Sequence, residues 1–123
     1  MYIFKYYSYI CNMKFQKATS KTMFKPSFGN KKGETDFYQI IIDGKVEGEI
    51  EVKLKGKFDK PEILSAFTNT SARGMGIGKI MVYGVLDIYF KDEIYVMTTK
   101  ESKPFWEKMG AKEFDEYLCC FKK

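Results

Sequence analysis

The segment from Ile63 to Lys91 constrains the fold more than any other part of this chain. An apolar run, Ile63 to Thr68, reads as a strand, and the polar stretch Asn69-Thr70-Ser71-Ala72 leads from it into Arg73-Gly74-Met75-Gly76-Ile77-Gly78. Lys79 to Lys91 then carries no proline, and Ile80, Met81, Val82, Val85, Leu86, Ile88, Tyr89 and Phe90 make it apolar on most of its surface, which predicts a largely buried helix. A strand feeding a glycine turn into a helix start gathers unpaired N–H groups and the positive end of the helix dipole at one point. Such a point is an anion site, and glycines let a phosphate lie against the backbone.

The flanking sequence supplies the remaining elements. Phe37 to Ile42 is β-branched and aromatic, and Asp43-Gly44 is a hairpin signal. From Lys45 to Lys57 every odd position is charged, while the even ones read Val46, Gly48, Ile50, Val52, Leu54, Gly56. This predicts a half-buried hairpin whose Glu47, Glu49, Glu51, Lys53 and Lys55 form a solvated face. Beyond the helix, Glu93 to Thr99 reads as a strand, Lys103 to Met109 as a short helix stopped by Gly110, and Phe114 to Phe121 as one or two closing strands.

At 123 residues and 45% apolar content the chain is one domain with one core. Residues 13–123 are read as that domain and residues 1–12 as an N-terminal extension. Lys and Arg outnumber Asp and Glu 21 to 16 with no basic block, so nucleic acid is a disfavoured partner. The absence of histidine excludes Ser–His and Cys–His nucleophiles, and without a Cys-x-x-Cys pair no metal is expected. Three cysteines, two of them adjacent, suggest no disulfide framework. No apolar run approaches the roughly 20 residues that span a bilayer. The expectation is a cytoplasmic protein that does not engage a membrane.

Two familiar phosphate loops fail on the glycine segment. A Walker-type loop, G-x-x-x-x-G-K-[ST], needs glycine at Arg73 and Ser or Thr at Ile80; a dinucleotide fingerprint, G-x-G-x-x-G, fits Gly74 and Gly76 but then meets Lys79. The pattern [RQ]-x-x-G-x-[GA] is satisfied by Arg73, Gly76 and Gly78. Downstream, Ser102-Lys103-Pro104-Phe105-Trp106-Glu107-Lys108-Met109-Gly110-Ala111 stands where a short helix reading A-x-x-F-Y-x-x-x-G-F would follow. With these motifs the chain resembles the GNAT superfamily of acyl-CoA-dependent N-acetyltransferases, from Met13 to the C-terminus. Met13 to Thr19 resembles the family's first strand.

The resemblance implies an α+β fold: a central mixed, mostly antiparallel twisted sheet with splayed fourth and fifth strands and flanking helices. It implies acetyl-CoA as donor, with backbone amides of Arg73, Gly74, Met75, Gly76, Ile77, Gly78 and Lys79 around the pyrophosphate and main-chain groups of Phe67, Thr68 and Asn69 along the pantetheine arm. It further implies acetyl transfer to a primary amine by direct attack on the thioester. The family often has a Tyr acid where Trp106 stands, and indole makes a poor acid. Ser102, Tyr117, Cys119 or water are the substitutes considered, and Glu62 or Glu49 the bases. The short stretch Ser20 to Thr35 implies reduced acceptor-side helices, hence an open site suited to a protein or peptide amine. A homodimer packed on the apolar helix is a second way to complete that wall. The competing readings are a non-catalytic CoA-binding protein and a basic binding module.

Overall fold

The computed structural model describes residues 13–18, 35–70, 73–74, 76–89 and 91–122. Strands β2 (Thr35–Ile42) and β3 (Lys45–Lys53) are joined by Asp43 and Gly44, both at positive φ, 50° and 82°. Two successive left-handed residues are what a type I′ turn requires, and its twist matches that of the strands. β1 (Met13–Lys17) pairs antiparallel with β2, and β4 (Glu62–Thr68) with β3. Helix α1 (Ile77–Tyr89) carries the chain over the sheet to β5 (Glu93–Met97), which lies parallel to β4. Helix α2 (Lys103–Lys108) then leads to a hairpin of β6 (Lys112–Asp115) and β7 (Leu118–Lys122), so the closing segment is two strands. The seven strands lie in the order β1-β2-β3-β4-β5-β7-β6, mixed and mostly antiparallel.

The helix face of the sheet holds the main core. Ile40, Ile50, Val52, Ile63, Ile94 and Val96 meet Ile77, Ile80, Met81, Val82 and Val85 of α1, all at most 1% exposed. The end of α1 is tied down as well: Tyr89 donates a hydrogen bond to Asp36 at 2.7 Å, and Lys17 pairs with the same carboxylate at 3.2 Å.

The other face corrects the expectation for β3. Glu49 and Glu51 are fully buried rather than solvated. Gln39 donates to Glu49 at 2.9 Å and Ser65 to Glu51 at 3.2 Å. Alternation identifies which residues share a face, but burial depends on what else packs there, and a buried carboxylate persists only when hydrogen-bonded or paired. The stretch Ser20 to Glu34, where reduced acceptor-side helices are expected, lies outside the described residues, as does the extension 1–12.

Candidate functional site: a cleft where two parallel strands part

β4 and β5 are paired at only two positions, Glu62 with Tyr95 and Ile63 with Val96. Immediately beyond, the partner of Glu51 is Ser65 and that of Val52 is Ile63, so Leu64 is an extra residue in β4. Such a bulge bends its strand and disrupts pairing. From there the two strands diverge, and a cavity of about 630 Å³ opens between them. Ala66, Thr68, Arg73 and Gly78 line one side; Thr99, Glu101, Ser102, Phe105 and Trp106 line the other.

Strand parity decides which β4 groups face this opening. The Asn69 amide donates to the Glu47 carbonyl at 2.8 Å, and the Asn69 side chain reaches the Glu47 carboxylate at 3.0 Å. Alternate residues of a strand offer their N–H and C=O to opposite edges. Asn69 and Phe67 therefore turn their main chains toward β3, and Thr68 and Ala66 turn theirs toward the open edge. Of the three residues the sequence points to for the pantetheine arm, Thr68 turns its main chain to the open edge, while Phe67 and Asn69 turn theirs to β3. Ala66, which the sequence reading does not include, shares the open edge with Thr68. Counting in twos from a known β3–β4 register would have found it, but a one-residue error in that count inverts the answer.

At the mouth stands the start of α1. The first intrahelical bond runs from the Ile80 amide to the Gly76 carbonyl at 3.0 Å, so the amides of Ile77, Gly78 and Lys79 precede the helical ladder. No acidic residue occupies the first turn. The glycines differ in their reasons. Gly76 has φ +76°, a conformation L side chains avoid, yet a Cβ there would meet nothing within 4 Å. Gly78 has no such φ, and its Cβ would stand 3.4 Å from Phe105 and 3.8 Å from the Thr68 hydroxyl, inside the cleft. Lys79 lies with its ammonium 5.8 Å from the Tyr83 ring centroid. Arg73 and Gly74 are exposed in the turn before the helix; Met75 lies outside the described residues.

The four candidate catalytic residues do not come together. Ser102 lines the cavity, but its hydroxyl is engaged with Thr99: Thr99 N–H donates to Ser102 Oγ at 2.9 Å, and Ser102 N–H donates to Thr99 Oγ1 at 3.1 Å. This reciprocal pair closes the turn just before α2, whose N-cap is Ser102. Glu49 faces Phe67 across the β3–β4 ladder, one strand from the open edge. Glu62 sits at the paired end of β4, six residues or about 20 Å from Thr68 along the strand. Tyr117 is 60% exposed in the β6–β7 turn and does not line the cavity. Cys119 is fully buried and burial pushes its thiol above the ordinary range, against a role as proton donor to a ligand. Trp106 is 4% exposed and packs in the main core while also lining the cavity.

The model of the acetyltransferase (GNAT) family matches residues 5–111. A search of curated protein sequences returns no match. Among solved structures, the KacTA–DNA complex is similar at 10% identity and TM-score 0.72, covering 89% of this chain and 92% of that one. Bacillus subtilis N-acetyltransferase YlbP in complex with coenzyme A is similar at 21% identity and TM-score 0.60, over 71% of this chain and 67% of that one. Arabidopsis thaliana Naa50 with the bisubstrate analogue CoA-Ac-MVNAL follows at 19% identity and TM-score 0.61, over 71% and 72%. At these identities the likeness is one of fold.

Proposed function

The chain belongs to the GNAT family of acetyltransferases, and from that membership we propose that it transfers an acetyl group from acetyl-CoA to a primary amine on a protein or peptide. The observation that carries the reading is the opening of β4 from β5 after two residue pairs, with a helix start at the mouth of the resulting cleft. Acetyl-CoA is a substrate here, consumed at each turnover, and it supplies an acyl carbon already activated as a thioester.

The residues present suit that donor. The amides of Ile77, Gly78 and Lys79, with Arg73, Gly74 and Gly76 before them, receive the pyrophosphate, where the absence of a first-turn acid leaves the helix dipole unopposed. Thr68 and Ala66 offer a strand edge, unpaired among the described residues, to the amide groups of the pantetheine arm. A cleft lined largely by exposed or half-buried residues encloses little of a small acceptor, which favours an amine presented by a larger molecule. The peptide portion of the analogue bound to Naa50 belongs to that protein, but it is the same kind of acceptor. The disfavour of nucleic acid drawn from composition finds no support in the comparisons, since one similar structure is a DNA complex.

A lysine amine with a pKa of about 10.4 must lose a proton before it attacks. Glu49, the nearer of the two acids to the open edge, takes it through water in this reading, and Glu62 is too distant. Ser102 holds the start of α2 and the cleft wall. The competing reading, a CoA-binding protein without transferase activity, is favoured by tryptophan at position 106.

Two measurements test the proposal. A ligand that binds only the folded state stabilises it by about 2.7 kcal/mol at one hundred times Kd, so acetyl-CoA should raise the Tm. Labelled acetyl-CoA should then mark protein in a mixed extract more efficiently than it marks polyamines or aminoglycosides. No Tm shift at millimolar donor overturns the site; a shift without transfer selects the non-catalytic reading; efficient turnover of one small amine alone overturns the acceptor class.

A further inference from the structure

Where β4 leaves it, β5 also presents main chain to the gap. The Tyr95 amide donates to the Pro61 carbonyl at 3.0 Å, and the Thr98 amide to the Tyr117 carbonyl at 2.9 Å. Main-chain groups of a strand alternate between its two edges, so Tyr95 and Met97 turn theirs toward β4 and Thr98 turns its own toward β7. The pair Ile63 and Val96 is the last between β4 and β5, and in a parallel ladder it uses the Met97 N–H. The Met97 carbonyl comes next and has no partner among the described residues. Two residues on, the main chain of Thr99 is engaged: its N–H donates to Ser102 Oγ at 2.9 Å, and its carbonyl accepts from the Lys103 N–H at 2.9 Å. Met97 is left with a single acceptor at the point where the strands part.

Proton acceptors are scarce around that point. The chain has no histidine. Of the described acids, Glu101 alone lines the cavity, and it is exposed. Glu47, Glu49 and Glu51 stand one strand away on β3, where Asn69, Gln39 and Ser65 donate to them. The cations nearby are Arg73 in the lining and Lys103 at the start of α2. A carbonyl accepts a hydrogen bond from an amine but does not keep its proton. An ordinary carboxyl, with a pKa of about 4.3, lies about six units below a lysine ammonium.

Resting on the proposed function, we infer that the acceptor is the N-terminal amine of a polypeptide, held by the Met97 main-chain carbonyl. An α-amine has a pKa of about 7.7–8.0, so roughly a quarter of it is neutral at pH 7.4, against about one lysine amine in a thousand. Ala66 and Thr68 pair with Ile50 and Gly48, which pack on α1, so the donor's cleft opens on the α1 face. A donor laid along Thr68 and Ala66 ends where the strands part, and the amine meets it there from the other face. One N–H bonds to the Met97 oxygen and the lone pair attacks the acyl carbon. The nitrogen–carbon bond forms, the carbon–sulfur bond breaks with its electron pair on sulfur, and the surplus proton on nitrogen passes through water to Glu49 or to solvent. That relay costs least for the least basic amine.

Two peptides test the inference on the intact protein: one with a free N-terminus and no lysine, the other blocked at its N-terminus and carrying one lysine. At pH 7.4 kcat/KM for the first should exceed that for the second by about tenfold or more. The neutral fractions differ by roughly 250-fold, offset in part by the weaker nucleophilicity of the less basic amine. Between pH 6.5 and 9.5 the first profile should level off at about pH 8 while the second keeps rising, each following its own amine. Met97-Thr98 is the only Met-Thr pair in the chain, so carbonyl-13C methionine with 15N threonine gives one correlation peak for this bond. Adding the free-terminus peptide to the CoA-bound protein should move the Met97 carbonyl downfield, and the blocked peptide should not. Equal or better turnover of the lysine peptide, a break at one shared pH in both profiles, or an unmoved carbonyl overturns this inference alone. Failure to bind CoA, or to acetylate either peptide, overturns the proposed function with it.

Discussion

The two ends of β4 begin with the same chemistry and finish with different tasks. At its first two residues the strand is paired on both edges, with β3 and with β5, and Glu62 and Ile63 are 4% and 0% exposed. Past the Leu64 bulge it keeps β3 and loses β5, and Ala66 and Phe67 are exposed. A strand with a bare edge in a folded domain is a liability unless something pairs with it. Among the described residues nothing pairs with this edge, which faces a cavity and a helix start; in the proposed function it receives the amide groups of the donor. The comparison teaches that one extra residue can open a cleft in the middle of a sheet without changing the rest of the fold.

The sharpest way to break this comparison is to damage each end separately. Ile63→Ala leaves a cavity in the core and should cost about 2–5 kcal/mol of stability, while the folded fraction still binds acetyl-CoA. Gly78→Val should do the reverse, removing the acetyl-CoA-induced Tm shift while leaving the unliganded Tm within a few degrees, because its Cβ points into the cleft and its backbone is unstrained. Gly76→Val, by contrast, should lower the Tm itself, at about 1–2 kcal/mol for a left-handed residue. Scanning calorimetry with and without donor reads all three. If Gly78→Val binds like the parent, the mouth is misplaced.

A second experiment sharpens the parity argument within the open end. Proline removes an N–H, which a ladder position needs and an unpaired edge does not. Phe67→Pro should lose about 1–3 kcal/mol by orphaning a partner on β3, beyond what Phe67→Ala loses. Ala66→Pro should leave the Tm almost unchanged and weaken CoA binding roughly threefold to tenfold, the worth of one hydrogen bond. The opposite pattern would mean that the phase of the strand is wrong.

The smallest effect is expected at the closed end, in its response to alkali. Tyr95, opposite Glu62, and Cys120, which pairs with it across β5 and β7, are both buried, and burial raises both above their ordinary values of 10.0 and 9.0. The native state then holds these protons more tightly than the unfolded chain does. Their contribution is fully present below about pH 9 and is lost as pH rises through the folded values. Tm measured from pH 8 to 10.5 should fall, with a shallower slope in Cys120→Ala. An unchanged slope would assign the alkaline sensitivity to other groups.

Much of this molecule was legible in its residues. Asp43-Gly44 announces a two-residue turn because few other dipeptides accept two positive φ angles, and the glycines before an apolar helix announce the turn into α1. The boundaries of α1 and β5 moved by only two residues, since periodicity reports faces better than ends. The Glu49–Glu51 row was misread as solvated because alternation carries no information about what covers a face. Glu62 and Tyr117 are candidates by residue type, as base and acid, and the sheet sets them at the paired end of β4 and on the β6–β7 turn.

Local chemistry, then, was settled by the sequence: turn type, the presence of the helix after the glycine turn, its apolar face, and the absence of any histidine-based nucleophile. The tertiary structure alone decided which β4 edge has no partner among the described residues, that Ala66 rather than Asn69 addresses the cleft, and that Trp106 both packs in the core and lines the cleft. The reason is that these depend on register and on the point where β5 leaves β4, quantities fixed by packing between segments thirty residues apart and written in no single stretch of the chain.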